Sequence, residues 1–179
     1  RNDFMKEKNL YKGMIFDLVE KEVEIHGKPY RREIIRHPGG VGVLCVKDER
    51  VLLVRQYRHA IEKETLEIPA GKLEYGEDPM TCGMRELNEE ARLEADSLEL
   101  IETIVSTPGF CDERIYIYKA CNPRKAVHEL AQDEDEDLDS FWLPLDEAYE
   151  KVRNREIEDA KTVVAIQYAV IEKERERGN

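Results

Sequence analysis

Gly71-Lys72-Leu73-Glu74-Tyr75-Gly76-Glu77, then Asp78 to Met84, then Arg85-Glu86-Leu87-Asn88-Glu89-Glu90-Ala91-Arg92-Leu93 is the stretch from which the rest of the sequence is read. Asp78 suits an N-cap and Pro79 the first helical turn, which predicts a helix over 79–91. At about 100° per residue, with Glu86 at zero, Glu89 falls near roughly −60° and Glu90 near roughly +40°. Met80, Met84, Leu87 and Ala91 gather at about 100–160°, so this apolar face is expected to pack on a sheet while the carboxylates occupy the other side. Cys82 and Gly83 lie one turn earlier on the acidic side and are small, which would leave room for something bulky above the carboxylates. Three like charges within one turn repel by a few tenths of a kcal/mol per pair. Hard divalent cations would reverse that sign, because Mg²⁺ or Mn²⁺ prefers carboxylate, phosphate and water oxygens. A plain solvated acidic face is the competing reading. Before the helix, Gly71 and Gly76 bracket a tight turn, Glu77 sits where an acid suits the helix dipole, and Arg85 is placed to pair with it or with neighbouring acids.

Outward from this segment, residues 10–35 alternate apolar and polar around a turn at His26-Gly27-Lys28-Pro29, which predicts an N-terminal antiparallel hairpin or small sheet. Val41–Val46 and Val51–Val54 flank Lys47-Asp48-Glu49-Arg50 as a buried hairpin. Leu66-Glu67-Ile68-Pro69 is a short strand entering the glycine loop. Strands are expected near 98–105, 114–120 and 138–143, an acidic loop at 133–137, and helices at about 145–153 and 160–175. Strands and helices interleave without regular βαβ alternation, giving an α/β (α+β) class with a mixed sheet flanked by helices.

The 179 residues suit one domain. A net charge of −12, from 28 Lys and Arg against 40 Asp and Glu, disfavours nucleic acid and anionic membranes as partners. An anionic substrate would then need bound metal ions or a few placed arginines. Cys45, Cys82, Cys111 and Cys121 show no CxxC spacing, so reduced thiols in a cytoplasmic protein are expected rather than zinc or a disulfide framework. Arg1–Tyr11 lacks an apolar run and reads as no signal peptide, and no stretch of about 18 apolar residues suggests a membrane span.

The segment from Gly71 to Leu93 resembles the Nudix box, G-x5-E-x7-R-E-U-x-E-E-x-G-U with U apolar, at Gly71, Glu77, Arg85, Glu86, Leu87, Glu89, Glu90 and Leu93. It departs at Arg92, where the family has a glycine that ends the helix in a left-handed conformation, costing a non-glycine roughly 1 kcal/mol. That position is no metal ligand. Further stretches look like the ADP-ribose pyrophosphatase branch: Tyr30 to Val41, Leu53 to Arg58, Glu67 to Gly71, Thr107 to Arg114 with Pro108 fifteen residues beyond Leu93, Gln132 to Asp137 and Ile157 to Thr162.

This resemblance implies a Nudix fold, with a mixed sheet sandwiched between helices and an N-terminal antiparallel segment. The expected organisation is one domain over 1–179, with 1–38 a β segment used in dimerisation and 39–179 the hydrolase core. The implied reaction is Mg²⁺-dependent (or Mn²⁺-dependent) hydrolysis of ADP-ribose to AMP and ribose 5-phosphate. The alternatives are a nucleotide-sugar diphosphatase acting, for example, on GDP-mannose, or a non-catalytic ligand sensor, which intact Glu86, Glu89 and Glu90 argue against. Carried over residue by residue, the metal ligands are Glu86, Glu89, Glu90, the Ala70 carbonyl and Glu136. Glu134 is the expected general base, with Glu136 the competing choice, and Arg85 belongs to the catalytic set. Arg32, Arg58 and Glu113 are expected at the substrate, and adenine near Ile15 and Phe16. The expected partner is a second copy exchanging its N-terminal strands. None of the four histidines is required; His37, before Pro38, reads as structural.

Overall fold

The computed structural model describes residues 7–132 and 139–178. The chain runs β1 (Glu7–Lys12), β2 (Asp17–Ile25), β3 (Lys28–Arg36), β4 (Gly40–Leu44), β5 (Val46–Lys47), β6 (Arg50–Arg58), β7 (Lys63–Glu67), β8 (Ala70–Lys72), α1 (Pro79–Ala91), β9 (Leu93–Glu94), β10 (Ser97–Val105), β11 (Arg114–Cys121), β12 (Arg124–Lys125), β13 (Asp139–Pro144), α2 (Leu145–Arg153) and α3 (Ala160–Arg177).

The alternating N-terminal segment forms a three-stranded antiparallel sheet, β1-β2-β3. Its hairpin is tighter than the sequence suggests. Ile25 pairs with Lys28, leaving only His26 (φ 52°) and Gly27 (φ 75°) in the turn, so Lys28 and Pro29 already belong to β3.

Two further four-stranded arrangements build the centre. One sheet has the order β10-β11-β4-β8, in which β11 and β4 run parallel and the other pairs antiparallel. In the other, β6 pairs β13 along one edge and β5 and β7 along the other. The expected Val41–Val46 strand is split between these sheets. It leaves the first at the buried Cys45, whose carbonyl accepts the Leu52 N–H at 3.0 Å, and joins the second at Val46.

The period-two alternation of the strands sorts their side chains into two buried clusters. Val41, Val43, Cys45, Leu52, Tyr118 and Ala120 face α1 with Leu87 and Leu98. Leu44, Val51, Leu53 and Ile117 face the opposite way, onto Leu145 and Ala148 of α2 and Ala165, Ile166 and Ala169 of α3. Helices therefore cover both sides of a mixed sheet, as the sequence led us to expect.

The facing of α1 is a correction in part: Leu87 and Ala91 are buried and Met84 packs against the same cluster, as expected, but the burial extends to the acidic side. Its buried positions are Cys82, Gly83, Glu86, Leu87, Glu90 and Ala91, centred on the acidic side of the wheel, while Met80 is 43% exposed. Cys82 and Gly83 are small because the sheet lies against them. A β-carbon on Gly83 would stand 2.9 Å from Leu98 Cδ1 and 3.1 Å from Val41 Cγ1. The helix thus turns its carboxylates inward, toward β8.

Candidate active site

Asp78 caps α1 as expected, its carboxylate accepting from the Thr81 N–H at 2.9 Å. This cap starts the helix so that Glu86 and Glu90, one turn apart, both reach the strand β8. Glu90 is 4% exposed and its Oε2 accepts the Ala70 N–H at 2.9 Å. Glu86 is 8% exposed and lies directly on Gly71, where an added β-carbon would stand 2.0 Å from its carboxyl carbon. Gly71 is therefore glycine to admit a carboxylate, a reason independent of any turn. Glu89 is partly exposed on the next ridge of the helix.

Arg85 ties the acids together. Its Nη1 donates to Glu86 Oε1 at 2.8 Å and to Glu89 Oε2 at 3.1 Å, and its Nη2 to Glu77 Oε1 at 3.2 Å. The backbone N–H of Glu74 and then Arg85 hold the Glu77 carboxyl below its usual range. Burial, with Glu77 and Glu86 adding their negative charge, pushes the Cys82 thiol up to about 12. One guanidinium thus serves three carboxylates. Such an oxygen-rich, carboxylate-heavy donor set fits a hard divalent cation. Among the described residues no three His, Cys, Asp or Glu side chains already converge as an ion cage.

Beside this cluster lies a second charged network, centred on Glu67, which is 2% exposed. Arg58 donates to both its oxygens at 2.7 Å, Lys161 Nζ to Oε1 at 2.6 Å and Thr65 Oγ1 to Oε2 at 2.6 Å. Burial alone would raise the Glu67 pKa, but Arg58, Lys161 and Thr65 hold it down at about 2. The Glu67 hydrogen bonds in turn raise Arg58, which also feels Asp159 and Glu90. Lys161 reaches Asp159 at 3.0 Å, and Asp159 caps α3 through Thr162. The Thr162 hydroxyl accepts the Ile68 N–H at 2.9 Å, locking the start of α3 onto the strand that leads into the glycine loop. The sequence quoted these residues only as pieces of a resemblance. An acid inside an apolar strand gives no periodic signal that it will anchor the neighbouring arginine and lysine.

Of the expected substrate residues, Arg58 sits next to the carboxylate cluster. Arg32 lies elsewhere, on β3, lining with Arg36, Arg114, Pro108 and Phe110 a cleft of about 430 Å³ between the N-terminal sheet and the 108–112 loop. Glu113 accepts from Ser106 Oγ at 2.7 Å and stands 3.6 Å from His37 Nδ1. His37 Nδ1 accepts the Gly39 N–H at 2.9 Å, so this histidine shapes the turn, as expected. Glu134 and Glu136 lie outside the described residues.

At its far end α1 stops at Arg92, in the left-handed conformation at φ 58° and ψ 31°, although it is no glycine. One of its guanidinium nitrogens, Nη1, is buried without a hydrogen-bond partner among the described residues.

The NUDIX domain profile matches residues 36–165. The chain is 41% identical over 166 residues to the methanol dehydrogenase activator of Bacillus methanolicus, covering 92% of this chain and 90% of that protein. It is 40% identical over 161 residues to the ADP-ribose pyrophosphatase of Bacillus subtilis, covering 89% and 87%. A crystal structure of an ADP compounds hydrolase superposes with a TM-score of 0.79 at 21% identity, covering 97% of this chain and 94% of that one, a likeness of fold.

Proposed function

The chain belongs to the Nudix family, and from that premise we propose that it is a divalent-metal hydrolase cleaving the diphosphate of ADP-ribose into AMP and ribose 5-phosphate. The observation that carries the proposal is the burial of Glu86 and Glu90 against Ala70 and Gly71, with Arg85 gathering Glu77, Glu86 and Glu89. Carboxylates gathered in this way form an oxygen-rich donor set suited to a hard divalent cation.

Glu86, Glu89, Glu90, the Ala70 carbonyl and Glu136 would hold Mg²⁺ or Mn²⁺. When bound, the ion neutralises the diphosphate and lowers the pKa of the attacking water. Glu134 takes the water's proton as general base, with Glu136 the alternative. Arg85 keeps the ligand carboxylates in place. Arg58 faces a phosphate with the part of its guanidinium that Glu67 leaves accessible, while Arg32 and Glu113 contact the remainder of a small nucleoside diphosphate derivative. The choice of ADP-ribose is supported by the 40% identity with the Bacillus subtilis enzyme along most of both chains. In this reading the protein is cytoplasmic and works as a homodimer exchanging its N-terminal strands, because Tyr11, Met14, Ile15 and Phe16 are exposed in the single chain.

Hydrolysis in H₂¹⁸O across ADP-ribose, GDP-mannose, other nucleotide sugars and dinucleotides tests the assignment. Dinucleotides belong in the panel because an equally similar relative is named for its effect on a dehydrogenase. The expected result is the highest kcat/KM for ADP-ribose, with label in one product only. A preference for GDP-mannose by tenfold or more would replace the substrate.

A further inference from the structure

The chain that follows Cys121 toward the acidic run is fastened to β9 and the end of α1 by a series of hydrogen bonds. Arg124 and Lys125 pair with Glu94 and Leu93 across the short β12–β9 ladder. The Ala126 N–H donates to the Arg92 carbonyl at 2.9 Å, and the Val127 N–H reaches Glu94 Oε2 at 3.4 Å. The ladder should end there, because α1 uses its own backbone groups internally. It is instead continued by a side chain. Asn88 Nδ2 donates to the His128 carbonyl at 2.7 Å, and Asn88 Oδ1 accepts the Leu130 N–H at 2.8 Å. The amide of Asn88 thereby imitates a strand neighbour, offering one donor and one acceptor to residues two apart.

The direction of this series matters. As the chain advances from 124 to 130, its partners step back from Glu94 to Asn88, so the segment runs against α1 toward the turn that bears Glu86, Glu89 and Glu90. Beyond Leu130 the sequence passes through Ala131 and Gln132 into Asp133-Glu134-Asp135-Glu136-Asp137. On the far side, Asp139 is already paired with Arg55 of β6, the strand that carries Arg58. Glu134 follows four residues after Leu130 in the sequence.

We infer that Asn88 is a positioning residue: it ties the root of the acidic run to the helix that carries the metal-binding glutamates and so sets where the general base can act. The inference rests on the hydrolase reading given above. Asn88 occupies the variable position of the box, immediately before Glu89, and is not among the residues assigned above to metal or substrate. Its side chain acts through the His128 carbonyl and the Leu130 N–H.

The test compares wild type with Asn88→Ala and Asn88→Asp, using ADP-ribose and saturating Mg²⁺. Asn88→Ala removes both contacts, and kcat is expected to fall about tenfold, the scale of a slight misplacement of a reacting group. KM for ADP-ribose, the affinity for Mn²⁺ alone and the melting temperature are expected to stay at wild-type values. Hydrogen exchange over residues 126–132 is expected to quicken. Asn88→Asp keeps the acceptor for Leu130 but sets a carboxylate against the His128 carbonyl, and is expected to fall between the two. Retention of kcat within twofold by Asn88→Ala overturns the inference. So does a kcat loss matched by losses of Mn²⁺ affinity and melting temperature, which would make Asn88 merely structural. A wild type that turns over no substrate in the panel would instead remove the hydrolase reading on which the inference stands.

Discussion

Gly71 and Glu67 show how single residues make this site possible. The first supplies an absence, since any side chain there would collide with the Glu86 carboxyl. The second supplies a buried charge that fixes Arg58 and Lys161. Its folded pKa of about 2, against an ordinary 4.5, makes the network pH-sensitive with a definite sign. A depressed carboxylate contributes stability that is fully present above the unfolded value and is lost as pH falls through the folded one. The contribution is about 3 kcal/mol at neutral pH and fades between roughly pH 4.5 and 2. Glu67→Gln is expected to lower stability at pH 7 by about 3 kcal/mol, since the buried Lys161 and the partly exposed Arg58 lose their counter-charge. Urea unfolding of both proteins across this range should show the gap closing toward pH 2. A gap independent of pH would contradict the account of Glu67.

At the scale of elements, α1 combines what the sequence could reveal with what it could not. Its start followed from Asp78 and Pro79, because caps are local chemistry. Its facing followed only in part from hydrophobicity, which placed Leu87 and Ala91 correctly. A wheel ranks Met80 and Met84 as core and glutamates as surface, whereas the helix buries Glu86 and Glu90 against β8 and leaves Met80 outside. The error falls on the functional residues, where local preference and tertiary need diverge. The helix end carries a similar conflict at Arg92, which bears the cost of a left-handed residue and a buried Nη1 unpartnered among the described residues. Arg92→Gly is expected to stabilise the fold by about 1 kcal/mol and to raise the melting temperature by roughly 2–4 °C. A fall in melting temperature would show that packing of the Arg92 stem outweighs the strain. The Asn88 clamp was invisible beforehand, for its partners at 128 and 130 are forty residues away and are met only through backbone groups.

For the whole molecule, the layered α/β architecture was legible because the apolar runs Val41–Val46 and Val51–Val54 belong to strands buried on both faces. The change of sheet at Cys45 was not, since an unbroken apolar run carries no mark of which neighbour each residue will pair with. The N-terminal sheet is a different case. It is antiparallel as expected, yet Met14 is 98% exposed and Tyr11, Ile15 and Tyr30 are also exposed, a concentration of apolar surface typical of an interaction face. Sedimentation is expected to give twice the mass of one chain, and Ile15→Asp with Phe16→Asp to halve it; a monomeric wild type would contradict the exchanged dimer. Above both questions stands the chemistry for which the buried glutamates were assembled. Its most direct test is the rate of ADP-ribose hydrolysis as magnesium is titrated into protein stripped of metal by chelation. The account predicts no turnover in the stripped protein and a saturable rise with added magnesium, yielding AMP and ribose 5-phosphate. Turnover that ignores chelation, or a folded protein that stays inert at saturating magnesium and manganese, would contradict it.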